Sequence, residues 1–188
     1  MTVKTKDALN ASYQRFCEGD NSAFEEIVRS TSDSLLYFVL RFVKSIWVAE
    51  DIVSDTFANL IIKKKKFRGE SSLKTYLFSV ARNRAIDHIR KNSREVPTEF
   101  DEQTAVDLET LEARLIEGEM HAHLHAAINE LSEDYRQALY LVYFEEMTAE
   151  EASRVLKKSR KQTENLIFRA RRALKAILEK DGYDYENL

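Results

Sequence analysis

Turn-forming residues are nearly absent from this chain, and no other feature constrains its fold as strongly. Four glycines and one proline stand among 188 residues, where average usage would give roughly four times as many. Sheets need tight turns, and tight turns draw on Gly and Pro, so an all-α chain is expected. Hydrophobic residues make up 44% and charged residues 32%, which supplies a packed core and excludes a disordered chain. No apolar run approaches the roughly 18–20 residues that cross a bilayer as a helix, so no direct membrane insertion is expected. The opening MTVKTKDALNASYQ carries no apolar signal segment. A single cysteine, Cys17, excludes an internal disulfide and fits a reducing cytosol, so a cytoplasmic location is expected.

Apolar residues recur at helical spacing. Leu9, Tyr13 and Phe16 share a face that stops before Gly19. Ser22 and Glu25 have capping-box spacing, followed by Phe24, Ile27, Val28, Leu35, Phe38, Val39 and Phe42. A third helix runs from about Trp47 into Lys63–Lys66, with Val53, Phe57, Leu60 and Ile61 inward. Its terminal lysines complement the helix dipole. Phe67-Arg68-Gly69 breaks the pattern, and Ser71 or Ser72 starts a fourth helix that reaches about Lys91. The stretch from about Asn92 to Asp107 holds Pro97 and many acids with little periodicity, and reads as a linker. A weaker helical segment covers about Leu108 to Ile128. Ser132 opens a stronger helix, with Leu131, Tyr135, Leu139 and Val142 inward.

Net charge is −3, which by itself argues against a nucleic-acid partner, but its distribution does not. Lys63–Arg94 holds eleven Lys and Arg against two acids, and Arg154–Lys175 holds nine against one. Between them Glu95–Glu119 holds nine acids and one Arg. A polyanion binder needs local positive potential only and can be acidic elsewhere. The expected division is a first domain over 1–94, a flexible acidic linker over 95–115 and a second domain over 116–188.

Two further capping boxes, Thr148 with Glu151 and Ser159 with Gln162, lie close together. They frame a short helix, a turn at Lys157-Lys158 and a second helix to about Lys180, a helix-turn-helix outline. At about 100° per residue, Thr163, Leu166, Ile167, Ala170, Ala173, Leu174 and Ile177 fall on one side of that last helix. Arg160, Lys161, Glu164, Asn165, Phe168, Arg169, Arg171, Arg172 and Lys175 cover the other. Arg and Lys contact phosphates and guanine edges, and the amides of Gln162 and Asn165 suit base edges. Phe168 sits amid the polar stripe, where a thymine methyl would cover it. A basic amphipathic helix alone is more often a solvated surface; the short capped helix and turn before it favour duplex reading.

In the fourth helix Thr75, Ser79, Arg82, Asn83, Ile86 and Arg90 align after the basic run KKKKFRGESS. Cationic loops with an aromatic suit unstacked bases, although Phe67 and Tyr76 also fit a core. Here the residues match a family. Ala49-Glu50-Asp51-Ile52-Val53-Ser54-Asp55-Thr56-Phe57 resembles a signature of the extracytoplasmic-function (ECF) sigma factors of bacterial RNA polymerase. Phe67 to Leu77 resembles that family's promoter-melting region and runs on into Val80-Ala81-Arg82-Asn83-Arg84-Ala85-Ile86-Asp87. Leu131 to Leu139 resembles the opening of its second domain, and Phe168-Arg169-Ala170-Arg171 its recognition-helix end. The resemblance runs from about Leu9 to Leu178. Departures are Ser54 where Gln is usual, Tyr76 where Trp is usual, Lys157-Lys158 where the turn often has Gly, and Leu166 in place of the usual Arg. They bear on promoter sequence.

The resemblance implies two helical domains on a tether, directing promoter-specific initiation by polymerase. Asp51, Ser54 and Asp55 would dock on the core enzyme, and an acidic first helical turn stabilised by the dipole explains them too. Lys66, Phe67, Arg68 and Ser72, with Arg82 and Asn83, would hold a flipped base of the minus-ten element; extruding it costs a few kcal/mol. Lys161, Gln162, Glu164, Asn165, Phe168, Arg169 and Arg172 would read the minus-thirty-five element, with Arg160 and Arg171 on phosphates. The linker acids would lie near the polymerase's RNA exit. An anti-sigma factor would hold the chain inactive, and free of partners it would be a monomer.

His121, His123 and His125 suggest a metal cluster, but alternate residues of a helix lie on different sides, so only His121 and His125 share a face. No metal or cofactor is expected. No phosphate loop, nucleophile elbow or carboxylate pair points to an enzyme. A repressor or activator binding duplex alone, and a helical adaptor without nucleic acid, are the competing classes.

Overall fold

The computed structural model describes residues 2–43, 45–62, 71–92 and 119–180, with side chains from residue 8 onward except those of 119–123 and 125. Among these residues all regular structure is helical. The chain divides into two compact units, Met1–Ala105 and Val106–Leu188.

The first unit contains α1 (Thr2–Glu18), α2 (Asn21–Val43), α3 (Ile46–Ile62) and α4 (Leu73–Asn92). α1 ends where Gly19 takes φ +113°. The Gly19 N–H donates to the Phe16 carbonyl at 3.1 Å and the Asp20 N–H to the Arg15 carbonyl at 3.0 Å. This paired closure needs a residue that tolerates positive φ, which glycine does without a Cβ clash. Asp20 then caps α2: one carboxylate oxygen accepts the Ser22 N–H at 3.0 Å, the Ser22 hydroxyl at 2.6 Å and the Ala23 N–H at 3.4 Å. The expected Ser22–Glu25 capping box is therefore corrected by two residues. A carboxylate directly ahead of the first helical residue combines the cap with the favourable dipole. The Ser22 hydroxyl bond, the largest cause, pulls the Asp20 carboxyl below its usual range.

α2 packs against α1, α3 and α4. Phe38 and Phe78 meet with ring centroids 5.1 Å apart, and Phe24 bridges Phe16 at 5.1 Å to Phe57 at 6.3 Å. Val53, Phe57 and Leu60 are buried as expected, whereas Ile61 is exposed. Ile61 follows Leu60 by one residue, about 100° round the helix and past the edge of the buried arc. Ser72 settles the start of α4, its hydroxyl accepting the Thr75 N–H at 3.2 Å. The Leu73 N–H donates to Asn10 Oδ1 at 2.9 Å, pinning that start to α1.

The second unit contains α5 (Glu119–Glu130), α6 (Glu133–Leu139), α7 (Ala149–Leu156) and α8 (Arg160–Lys180). α6 widens into a π-helical turn over Tyr140–Phe144. There the Glu145 N–H reaches the Tyr140 carbonyl at 3.1 Å, and the buried Glu145 carboxylate accepts the Tyr140 hydroxyl at 2.8 Å. Ala127, Ile128, Leu131, Leu139, Ala170, Leu174 and Leu178 form this unit's core.

Candidate nucleic-acid interface

The helix-turn-helix is built from local chemistry. Thr148 and Glu151 exchange bonds at 3.2 and 2.9 Å to start α7. Ser159 and Gln162 do the same at 3.2 and 2.8 Å to start α8. Both capping boxes stand as the spacing predicts. Between them Lys157 closes α7 in the left-handed conformation at φ +56°, ψ +41°, its N–H donating to the Ser153 carbonyl. Lys158 Nζ then donates to Asp134 at 3.1 Å, fixing the turn against the start of α6.

α8 buries Thr163, Ile167, Ala170, Leu174 and Leu178. Its opposite face exposes Arg160, Lys161, Gln162, Glu164, Asn165, Phe168, Arg169, Arg171 and Arg172. Phe168 is 60% exposed, with the Arg172 guanidinium 5.9 Å from its ring centroid. Arg160 donates to Glu164 at 2.8 Å, and that carboxylate raises the guanidinium's already high pKa. Arg171 leans away from this face, its guanidinium 5.1 Å from the Tyr143 ring. Leu166, expected inward, is only half-buried.

In the first unit Asp51, Ser54 and Asp55 are all exposed on α3. Asp55 is ion-paired to Arg84 of α4, and a hollow between the two helices is lined by Asp51, Asp55, Arg84, Asp87, His88 and Lys91 among others. Exposed pairs of this kind contribute about 0–1 kcal/mol, so this one orients side chains more than it stabilises the fold. Arg82 and Asn83 are half-buried on α4. Thr75, expected on the same presented face, is buried, and its hydroxyl meets that of Ser72 at 2.8 Å. Helical spacing aligned it correctly, but α4 packs against α1, α2 and α3, and its start is tied to α1 through the Leu73 N–H and Asn10. Tyr76 is half-buried, its hydroxyl accepting from Asn59 Nδ2 at 3.2 Å, and burial raises its pKa. Lys66, Phe67 and Arg68 lie outside the described residues, as do the linker and the side chains of His121, His123 and His125.

Comparison with known proteins places both units. Residues 27–95 match the Sigma-70 region 2 family and residues 121–174 the Sigma-70, region 4 family. The ECF RNA polymerase sigma factor SigM of Bacillus subtilis is 31% identical over 160 residues, 85% of this chain and 98% of its own length. The chain belongs to the ECF sigma factors of bacterial RNA polymerase. The RNA polymerase sigma-H factor of Pseudomonas aeruginosa is 30% identical over 88% of this sigma factor and 91% of its own length. The sigma factor RpoE of Bartonella quintana, crystallised with the anti-sigma factor NepR, shares the fold at TM-score 0.62 and 23% identity, over 83% of this chain and 96% of its own.

The structure adds surface that the sequence reading of this sigma factor missed. Trp47 is 75% and Ile62 81% exposed. With Glu50, Asp51, Ser54, Ala58 and Ile61 they form one outward stripe along α3. The i, i+3, i+4, i+7 spacing of this second stripe, opposite the buried one, was the available signal. Tyr143 and Phe144 are likewise about half exposed, brought outward by the π-helical turn, which leaves no periodic trace.

Proposed function

We propose that this sigma factor divides its work among three helical faces. The outward stripe of α3, with Asp51 and Ser54 in it and Asp55 at its edge, docks on core polymerase. Arg82 and Asn83 of α4, with Ser72 and the preceding Lys66, Phe67 and Arg68, hold an unstacked base of the minus-ten element. The exposed face of α8 enters the major groove at the minus-thirty-five element. Residues 1–94 and 116–188 act as separate domains joined by an acidic tether over 95–115, and the chain catalyses no reaction of its own.

The observation that carries this reading is the face of α8. The cations Arg160, Lys161, Arg169 and Arg172, the amides of Gln162 and Asn165 and the open Phe168 ring stand outward over a buried, mainly apolar stripe, directly after a capped helix and a tight turn. Phosphate contacts from such cations position a helix, and amides and rings read bases. The crystallised pairing of RpoE with NepR supports an anti-sigma partner here too, acting in the cytoplasm where polymerase works.

Gel shifts on a target promoter test the reading. The chain alone should leave the duplex nearly unshifted, whereas chain plus core polymerase should form a stable, salt-sensitive complex. Tight binding by the chain alone would favour an ordinary repressor or activator.

A further inference from the structure

We propose that Leu166 is a specificity-determining residue, forming the apolar floor of a notch beside the recognition face that accepts the 5-methyl group of a thymine. This rests on the reading that α8 enters the major groove. The notch, of about 330 Å³, is lined by Tyr135, Lys158, Gln162, Asn165, Leu166 and Arg169. Four of these, at 162, 165, 166 and 169, follow i, i+3, i+4, i+7 spacing and so share one side of α8.

Leu166 is the only aliphatic side chain in the lining. Its neighbours Thr163, Ile167 and Ala170 are sealed in the core at 0, 8 and 0% exposure, while Leu166 is half-open. A leucine left at the base of a polar notch, rather than in the core stripe where helical period places it, offers an incoming methyl group a dry contact. Tyr135 walls the far side and is packed against the core cluster, so the notch cannot simply collapse onto Leu166.

The rim fixes which base brings that methyl. The side-chain oxygen of Gln162 is turned back to accept the Ser159 N–H at 2.8 Å, which leaves its NH₂ to donate. In the major groove thymine presents the O4 acceptor beside the C5 methyl, whereas cytosine presents an N4 donor and no methyl. A donor at Gln162 beside an apolar floor at Leu166 therefore matches thymine in both groups and opposes cytosine in both. Lys158, held by Asp134 at 3.1 Å, sets a tethered cation at the edge, where a phosphate would pass.

Run-off transcription by the holoenzyme on its selected promoters tests this, with each thymine of the upstream element replaced singly by deoxyuridine, which removes only the methyl. One position should lose about fourfold in promoter use, the worth of one buried methyl group. Changing that thymine to cytosine should lose roughly tenfold or more. Leu166→Ala should abolish the deoxyuridine effect at that position alone, and Phe168→Ala should leave it intact. The proposal is overturned if no deoxyuridine position matters, if the selected element needs no thymine, or if Phe168→Ala removes the effect while Leu166→Ala retains it. The wild-type template series stands whether or not Leu166→Ala folds. Specific initiation without any deoxyuridine effect sinks this proposal and spares the functional reading; a holoenzyme that initiates nowhere sinks both.

Discussion

At the scale of single residues, the reading face and the fold make separable demands. Asn165 and Arg169 are exposed, so their replacement should affect binding far more than folding. Asn165→Ala and Arg169→Ala should each reduce use of the cognate promoter by about 1–3 kcal/mol in transition-state terms. Equal losses on templates with a scrambled upstream element would mean that they are not readers. Lys157 carries the opposite kind of burden. Its left-handed backbone at φ +56° costs an L-residue about 1–2 kcal/mol, a strain that glycine avoids. Lys157→Gly should raise stability by about 1 kcal/mol, seen as a higher urea midpoint; an unchanged or lower midpoint would refute the strain. Tyr13 links the first unit to pH. Burial, followed by the Cys17 hydrogen bond, raises its hydroxyl pKa well above the ordinary 10.0. A raised folded-state value stabilises the fold fully below the unfolded value and less as pH climbs towards the folded one. Stability should therefore decline above about pH 10, and Tyr13→Phe should flatten that decline in helical circular dichroism. An identical alkaline profile would contradict it.

At the scale of helices and caps, much was legible before the structure, and what was not has physical causes. The Thr148–Glu151 and Ser159–Gln162 boxes are purely local, so spacing alone located α7, the turn and α8. The start of α2 was misplaced because Asp20 and Ser22 both suit a cap, and only geometry decides that Asp20 accepts three bonds. Ile61 and Thr75 were misassigned because period gives the direction of a side chain but not the width of the neighbour that covers it. The π-helical turn brings the buried Glu145 carboxylate to the Tyr140 hydroxyl five residues earlier, and the burial of a glutamate is not what its polarity leads the sequence to suggest. Leu166 shows the same limit from the functional side: its place in the core stripe was legible, and its opening into a notch was not. Caps and reading face predict different mutant behaviour. Thr148→Ala should cost about 1 kcal/mol of stability. Phe168→Ala should change stability by within about 0.5 kcal/mol yet weaken promoter use. Thermal unfolding together with run-off yields separates the two; a strongly destabilised Phe168→Ala would show that the ring is structural.

At the scale of the whole molecule, two basic segments flank an acidic one, and residues 27–95 and 121–174 match the Sigma-70 region 2 and Sigma-70, region 4 families. A net charge of −3 lowers non-specific attraction to DNA, so affinity must come from local basic faces and from the polymerase. If the linker acids contribute near the RNA exit, replacing Glu99, Asp101, Glu102 and Asp107 by their amides should alter promoter escape, measured as the ratio of abortive to full-length transcripts. An unchanged ratio would remove the linker from the mechanism. The central claim is that one helical chain brings core polymerase and a particular set of promoters together. Its most direct measurement is transcript mapping with purified bacterial core polymerase, with and without the purified chain, on a library of upstream regions. The account predicts new start sites that share two spaced elements and vanish when the outward side chains of α3 or α8 are replaced. Start sites identical with and without the chain would contradict it.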